Sequence, residues 1–161
     1  MQSIIKETGF TDLIKSQIGG ETIAFCQQCG TCASSCPVVK LNPDFNPRRL
    51  IQLSLLEEKK EVTSGESIWL CCSCYNCQER CPQKVEIADL ILALRNIAIK
   101  EGKIPNLYKE FAKALWHDGR IVKISKFVER KRQTLGLPPL HPTGLDPLRK
   151  ILSAINFTHK K

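Results

Sequence analysis

Cys26-Gln27-Gln28-Cys29-Gly30-Thr31-Cys32-Ala33-Ser34-Ser35-Cys36-Pro37 and Cys71-Cys72-Ser73-Cys74-Tyr75-Asn76-Cys77-Gln78-Glu79-Arg80-Cys81-Pro82 decide how this chain is read. Both have the form C-x2-C-x2-C-x3-C-P, and their first cysteines lie 45 residues apart. Three cysteines two residues apart wrap a loop round one four-iron cube so that three corners are ligated. The fourth, displaced by three residues and followed by proline, is carried away from that loop. Eight thiols in this pattern imply two [4Fe-4S] clusters.

In two-cluster ferredoxins the displaced cysteine ligates the other cluster. The expected ligands are therefore Cys26, Cys29, Cys32 and Cys81 for cluster one, and Cys71, Cys74, Cys77 and Cys36 for cluster two. Crossed fourth ligands tie the halves together and hold the cofactors close. Two neighbouring one-electron centres with no adjacent acid–base machinery form a relay, so no catalytic residue is expected on this chain. A structural zinc site, the main competitor, needs only four cysteines per ion and gives no reason for the repeated motif. Cys72 breaks the register that Cys71 keeps and reads as a small apolar residue packed beside a cluster. Gly30, inside the first ligand loop, lets the backbone approach the cofactor. Tyr75 and Asn76 follow Cys74 in the second loop, so the two clusters should differ electronically.

Length and composition agree with one domain, or at most one domain with an appendage: 161 residues, 42% hydrophobic and 25% charged. The longest apolar stretch, about 90–99, is interrupted by Arg95 and falls short of the ~20 residues of a membrane span. The opening residues, Met1 to Glu7, show no secretory pattern, so a cytoplasmic location is expected. Nine cysteines are then ligands or redox groups rather than a disulfide framework. The net charge of +8 invites a nucleic-acid reading. Two oxidised clusters of about −2 each would lower it to roughly +4. Helix-turn-helix and aromatic-platform patterns are missing too, so no nucleic-acid partner is expected.

Patterning predicts helices and almost no strand. Thr11 to Ile14 opens a short helix ended by Gly19-Gly20, and Asn46-Pro47 caps another running to Leu56. Thr63 and Glu66 have capping-box spacing ahead of Ile68-Trp69-Leu70. The clearest helix covers about 87–101, with Ile87, Leu90, Ile91, Leu94 and Ala98 on one face and Gly102 as its stop. Further helices are expected over 105–117, over Ile121 to Leu135, and from Asp146-Pro147 onward, with an extended linker at 137–142. The fold class is all-α: an α-helical ferredoxin whose two cluster loops are related by a pseudo-two-fold, plus C-terminal helices. The βαββαβ bacterial ferredoxin, with strands and much shorter inserts, is disfavoured. Expected domains are a two-cluster core at 1–102, C-terminal helices at 103–136 packing on the core or a partner, and a linker with a short terminal helix at 137–161. In so small a core, ligation should contribute much of the folding energy.

The residues at 26–37, Asn46-Pro47-Arg48-Arg49, and the run from Ile68 through Pro82 make the chain resemble the small iron–sulfur subunits, the C subunits, of the soluble heterodisulfide reductases. That resemblance covers about residues 20–100 closely and the tail only loosely. It implies a protein that relays electrons from a flavin-containing heterodisulfide reductase subunit to a catalytic one. The catalytic subunit binds non-cubane clusters through CCG motifs and reduces the coenzyme M–coenzyme B disulfide. This chain has Cys71-Cys72 but no Cys-Cys-Gly, and no flavin or dinucleotide fingerprint, so catalysis is expected on partners within a larger hetero-oligomer. The alternatives are the same relay in a sulfur-oxidising heterodisulfide reductase-like complex, and a free soluble ferredoxin.

Among the remaining residues, Arg48 and Arg49 read as a helix face or as positioning groups, and Trp69 as packing that keeps water off a cluster. Lys123, Lys126, Arg130, Lys131 and Arg132 oppose Ile121, Ile124 and Val128 on a basic amphipathic segment suited to a partner surface. His117, His141 and His159 show no ligand spacing.

Overall fold

A computed structural model describes residues 9–122, 124–140, 144–155 and 157, and every regular element among them is helical. The all-α class expected from the sequence is the class observed. Lys123, His141, Pro142, His159 and the opening residues to Glu7 lie outside the described residues.

The ten α-helices are α1 (Phe10–Lys15), α2 (Thr31–Ser34), α3 (Pro37–Leu41), α4 (Pro47–Leu55), α5 (Lys59–Thr63), α6 (Asn76–Glu79), α7 (Ile87–Lys100), α8 (Asn106–Asp118), α9 (Lys126–Thr134) and α10 (Leu145–Ala154). Two 3-10 turns, Glu21–Phe25 and Ser67–Leu70, lead into the two cysteine motifs. The described residues divide between Lys103 and Ile104 into two compact units.

The first unit is organised round α7. Its run of Ile87, Ala88, Leu90, Ile91, Ala93, Leu94, Ile97 and Ala98 is buried, a wider apolar face than the predicted stripe. Ile14 of α1, Ile23, Phe45, Leu50 and Ile51 of α4, Val62 of α5, Ile68 and Val85 complete the same core. Burying one side chain such as Leu94 contributes about 1.5–3 kcal/mol. The expected cap of α4 is present: the Asn46 side chain accepts from the Arg49 amide at 3.2 Å, and Pro47 occupies the first turn. Glu57 caps α1 from a distance, accepting from the amides of Phe10 at 2.6 Å and Thr11 at 3.1 Å.

Three local expectations are corrected. Thr63 is no helix N-cap; it ends α5, is buried, and its hydroxyl donates to the Lys59 carbonyl at 3.0 Å. Ser67–Leu70 is a 3-10 turn without a side-chain cap. The pair Gly19-Gly20 does not stop α1, which closes at Ser16. It marks a close approach instead. A Cβ on Gly20 would collide with the Ile14 carbonyl and one on Gly19 with Asp89, at the start of α7.

In the second unit, α8 packs on α10, Ala114 of α8 and Leu152 of α10 are buried, and Arg149 Nε donates to the Trp116 carbonyl at 3.3 Å. Gly119 ends α8 in the left-handed conformation. The next helix, α9, starts later than expected: Ser125 caps it by accepting from the Val128 amide at 3.3 Å, leaving Ile121 and Ile124 ahead of the helix. No residue of α9 is buried, and Phe127 is 72% exposed.

Candidate metal centres

The two cysteine motifs fold as copies of one backbone loop. Each follows a 3-10 turn, whose last residue hands over to Cys26 (φ −67°, ψ 117°) or Cys71 (φ −62°, ψ 124°) in an extended conformation. Two residues on, Gln28 (φ 55°) and Ser73 (φ 52°) turn left-handed; two further on, Gly30 (φ 84°) and Tyr75 (φ 61°) do so again. These last residues open α2 and α6, single helical turns that carry Cys32 and Cys77 on their inner sides. The alternation of extended and left-handed residues curls each loop so that its three thiols face one space. At Gly30 only Arg48 Cδ, at 3.9 Å, would meet an added Cβ, so among protein groups the positive φ rather than crowding favours glycine. Tyr75 takes the same conformation with a side chain, a strain of order 1–3 kcal/mol held by its surroundings.

Two cavities result. One is bordered by Cys26, Cys29, Cys32 and Cys81, together with Gln28, Gly30, Thr31, Arg48, Pro82 and Ile87. The other is bordered by Cys71, Cys74, Cys77 and Cys36, with Cys72, Tyr75, Val38, Phe45, Pro47, Ala88 and Ile91. Each cavity thus draws three thiols from one motif and the fourth from the other. In each loop the middle of the three is the most exposed, Cys29 and Cys74, while Cys32, Cys36 and Cys77 are buried. Among the described residues no three His, Cys, Asp or Glu side chains converge tightly enough to hold a single metal ion. The thiols instead border a space whose wall is apolar at the second site, with Val38, Phe45, Ala88 and Ile91, and largely polar at the first, with Gln28, Thr31 and Arg48 beside Ile87. Four thiols bordering one space suit the four corners of an iron–sulfur cube.

Several donors aim at the sulfurs. Gln28 Nε2 donates to Cys26 Sγ at 3.5 Å, and Thr31 Oγ1 lies 3.4 Å from Cys29 Sγ. The Val85 amide donates to Cys81 Sγ and the Ser73 amide to Cys71 Sγ, both at 3.4 Å. Hydrogen bonding from Thr31 holds the Cys29 thiol below its ordinary pKa. Burial does the opposite deeper in, pushing Cys32 up to about 11 and Cys77 up to about 12, helped by the neighbouring charges of Cys26 and Cys71 respectively. Cys72, expected to pack beside a cluster, borders the second cavity but is exposed.

Residues with no anchoring role legible in the sequence hold the loops in place. Asn76 Nδ2 donates to the Ser35 carbonyl at 2.6 Å, joining the second loop to the end of α2. Gln78 Oε1 accepts from the Ala88 amide at 3.0 Å, and Gln78 Nε2 donates to Asp89 at 2.9 Å, so the second loop caps α7. Thr22, ahead of the first loop, accepts from the Glu86 amide at 2.9 Å. Arg95 fixes the segment leading into Cys71: it donates to the carbonyls of Ile68 at 2.8 Å and Cys71 at 2.6 Å and lies over the Trp69 ring at 5.7 Å. Its interruption of an apolar run was the only sign of it in the sequence. Trp69 packs against the core, as expected.

All-helical scaffolding round two looped cysteine quartets defines an α-helical ferredoxin, and a family model of the 4Fe-4S dicluster domain matches residues 22–85. Similarity extends well beyond that domain. The chain is 35% identical over 154 residues to the C subunit of the H(2):CoB-CoM heterodisulfide,ferredoxin reductase of Methanothermobacter thermautotrophicus, covering 92% of this chain and 82% of that protein. It is 32% identical to the C subunit of the Ferredoxin:CoB-CoM heterodisulfide reductase of Methanosarcina mazei, covering 86% and 88%. A protein of Archaeoglobus profundus, itself named as similar to the heterodisulfide reductase C subunit, is 31% identical, covering 91% and 79%. The chain belongs to the family of heterodisulfide reductase C subunits, which are iron–sulfur, electron-transfer proteins. No helix among the described residues is long and apolar enough to cross a membrane.

Proposed function

We propose that the chain is the electron relay of a cytoplasmic heterodisulfide reductase complex, carrying single electrons from a flavin-bearing subunit to a catalytic, CCG-motif subunit that reduces the coenzyme M–coenzyme B disulfide. The observation that carries this reading is the pair of thiol-ringed cavities in one small unit, each drawing a cysteine from the other's motif. Cys26, Cys29, Cys32 and Cys81 would hold one [4Fe-4S] cluster, and Cys71, Cys74, Cys77 and Cys36 the other. When bound, the clusters supply reversible one-electron chemistry. The protein's part is to fix the thiols, keep water from their inner sides with Phe45, Ile87, Ala88 and Ile91, and hold the two sites within one rigid core around α7. The chain itself carries no substrate site in this reading. The core ending near Gly102 would serve the relay, and α8, α9 and α10 the assembly with partners.

The names of the relatives, each the C subunit of a reductase, support the assembly. Anaerobic purification of the tagged native complex tests the whole reading. Expected are eight irons and eight acid-labile sulfides on this chain, from two four-iron cubes, and a flavoprotein and a cysteine-rich protein in constant ratio with it. A chain that purifies alone with both clusters would be a free ferredoxin. Stoichiometric zinc without sulfide would end the relay reading altogether.

A further inference from the structure

We propose that the site of Cys26, Cys29, Cys32 and Cys81 is built to be the more oxidising of the two, with Gln28 and Thr31 as the residues that set the difference. This inference rests on the relay reading, that both cavities hold [4Fe-4S] clusters.

The repeat supplies an internal control. Both loops have the same backbone course, with left-handed residues at Gln28 and Ser73 and again at Gly30 and Tyr75, so the two sites differ chiefly in side chains. The Ala33 backbone bonds Cys32 at the first site as the Gln78 backbone bonds its counterpart Cys77 at the second, so those two cancel, and each of the other three sulfurs of the first site faces a donor of its own. Gln28 Nε2 reaches Cys26 Sγ at 3.5 Å, Thr31 Oγ1 reaches Cys29 Sγ at 3.4 Å, and the Val85 amide reaches Cys81 Sγ at 3.4 Å. A metal-bound thiolate has no proton, so the Thr31 hydroxyl is the donor in that pair. Arg48 in the wall adds a positive charge.

At the second site the matching groups are turned elsewhere. Ser73, opposite Gln28, reaches Cys71 Sγ with its backbone amide alone, at 3.4 Å. Asn76, opposite Thr31, gives its amide to the Ser35 carbonyl, and the Tyr75 hydroxyl donates to Asp89 Oδ1 at 2.8 Å. Cys72 hydrogen-bonds Cys74, but a thiol is a weak donor. Arg95 brings a positive charge to the carbonyl of Cys71, and Asp89 a negative one behind Tyr75. The balance of charge and of donors therefore favours the first site.

The physics gives the sign. Reduction adds one electron and no proton to a cluster that is already anionic, so donors on its sulfurs stabilise the reduced form more than the oxidised form and raise the potential. An electron shared between the two sites rests on the first, and transfer from second to first runs downhill.

The test uses full-length holo-protein, titrated with dithionite in the presence of mediators and followed by electron paramagnetic resonance, with iron and sulfide counted in every sample. Wild type is expected to reduce in two separate one-electron steps. The double variant Gln28→Met with Thr31→Val keeps size and removes both side-chain donors. It is expected to lower the higher step alone, so that the reduced-to-oxidised ratio at a fixed potential falls about tenfold, which is 59 mV for one electron. Tyr75→Phe, in the other loop, should leave that step in place. A double variant with full iron and sulfide that shifts the lower step, or neither, overturns the assignment while leaving the relay intact. Wild-type protein without iron and sulfide overturns both.

Discussion

Arg95 Nη2 donates to the main-chain carbonyl of Cys71 at 2.6 Å, 24 residues back along the chain. The same guanidinium binds the Ile68 carbonyl and covers Trp69, so one side chain of α7 pins the whole approach to the second cysteine loop. Charge-assisted hydrogen bonds to part-buried carbonyls are worth about 1.5–3 kcal/mol, and their loss leaves the acceptors without partners. Arg95→Leu is expected to destabilise the protein by about 2–4 kcal/mol. It should also lower iron content toward half, because the loop it anchors carries three ligands of one proposed cluster. Arg95→Lys should rescue little, since an ammonium cannot reach two carbonyls with a rigid fork. Chemical denaturation and iron analysis of the three proteins check this. Full rescue by lysine would mean that charge alone matters there.

Among the described glycines, Gly20 leaves the least room for a side chain. A Cβ there would collide with the Ile14 carbonyl inside α1, and backbone cannot swing aside as a flexible side chain does. Gly20→Ala is expected to cost about 2–3 kcal/mol as overpacking forces α1 off the core. Gly136, with open space around it, is the comparison: Gly136→Ala should cost only about 1 kcal/mol from its left-handed φ of 65°. Thermal unfolding of both variants measures the difference, and equal shifts would contradict the close approach.

Much of this fold was legible because it is local. Thiol spacing sets loop geometry within twelve residues, and Asn46-Pro47, Gly102 and Gly119 mark helix ends through their own backbone preferences. What escaped depends on distant partners. Thr63 and Glu66 have the spacing of a capping box, but the Thr63 hydroxyl is taken by the Lys59 carbonyl behind it, and Glu101 from the end of α7 lies beside it. Gly19-Gly20 looks like a stop signal in sequence, and only the packed chain shows Asp89 and Ile14 against it. Asn76, Gln78 and Arg95 look like ordinary polar residues until Ser35, the start of α7 and Cys71 are brought to them. Cys72 shows the reverse failure: a residue type that is usually buried borders the second cavity and is nevertheless exposed.

Crossed ligation has a signature in paired variants. Cys36 borders the cavity of Cys71, Cys74 and Cys77, although it lies in the first motif. Cys36→Ser is therefore expected to leave the same residual paramagnetic signal as Cys74→Ser, with about half the iron retained. Cys81→Ser should instead match Cys29→Ser, which shares its cavity. A Cys36→Ser spectrum matching that of Cys29→Ser would show that each motif closes on its own cluster.

Glu101 gives the fold a defined dependence on pH. Its carboxylate, just past the end of α7, bonds Lys59 at 2.6 Å and Lys103 at 2.8 Å, with the Thr63 hydroxyl oxygen 3.2 Å away. Partial burial works against its charge, but the bonds from Lys103 and Lys59 outweigh that and hold its pKa down to about 2. A folded-state value below the unfolded one, ~4.3, stabilises the protein above the unfolded value. The contribution is lost as pH falls from there through the folded value. With its side chain 25% exposed, water screens the site, and a contribution on the order of 2 kcal/mol is expected. The stability gap between wild type and Glu101→Gln should thus stay flat from about pH 8 to pH 5.5 and narrow below about pH 4.5. Anaerobic urea denaturation across that range, read by circular dichroism and by cluster absorbance, measures the gap. A gap that widened with acid would mean that the carboxyl is protonated in the native protein and that Lys59 and Lys103 are not its counter-ions.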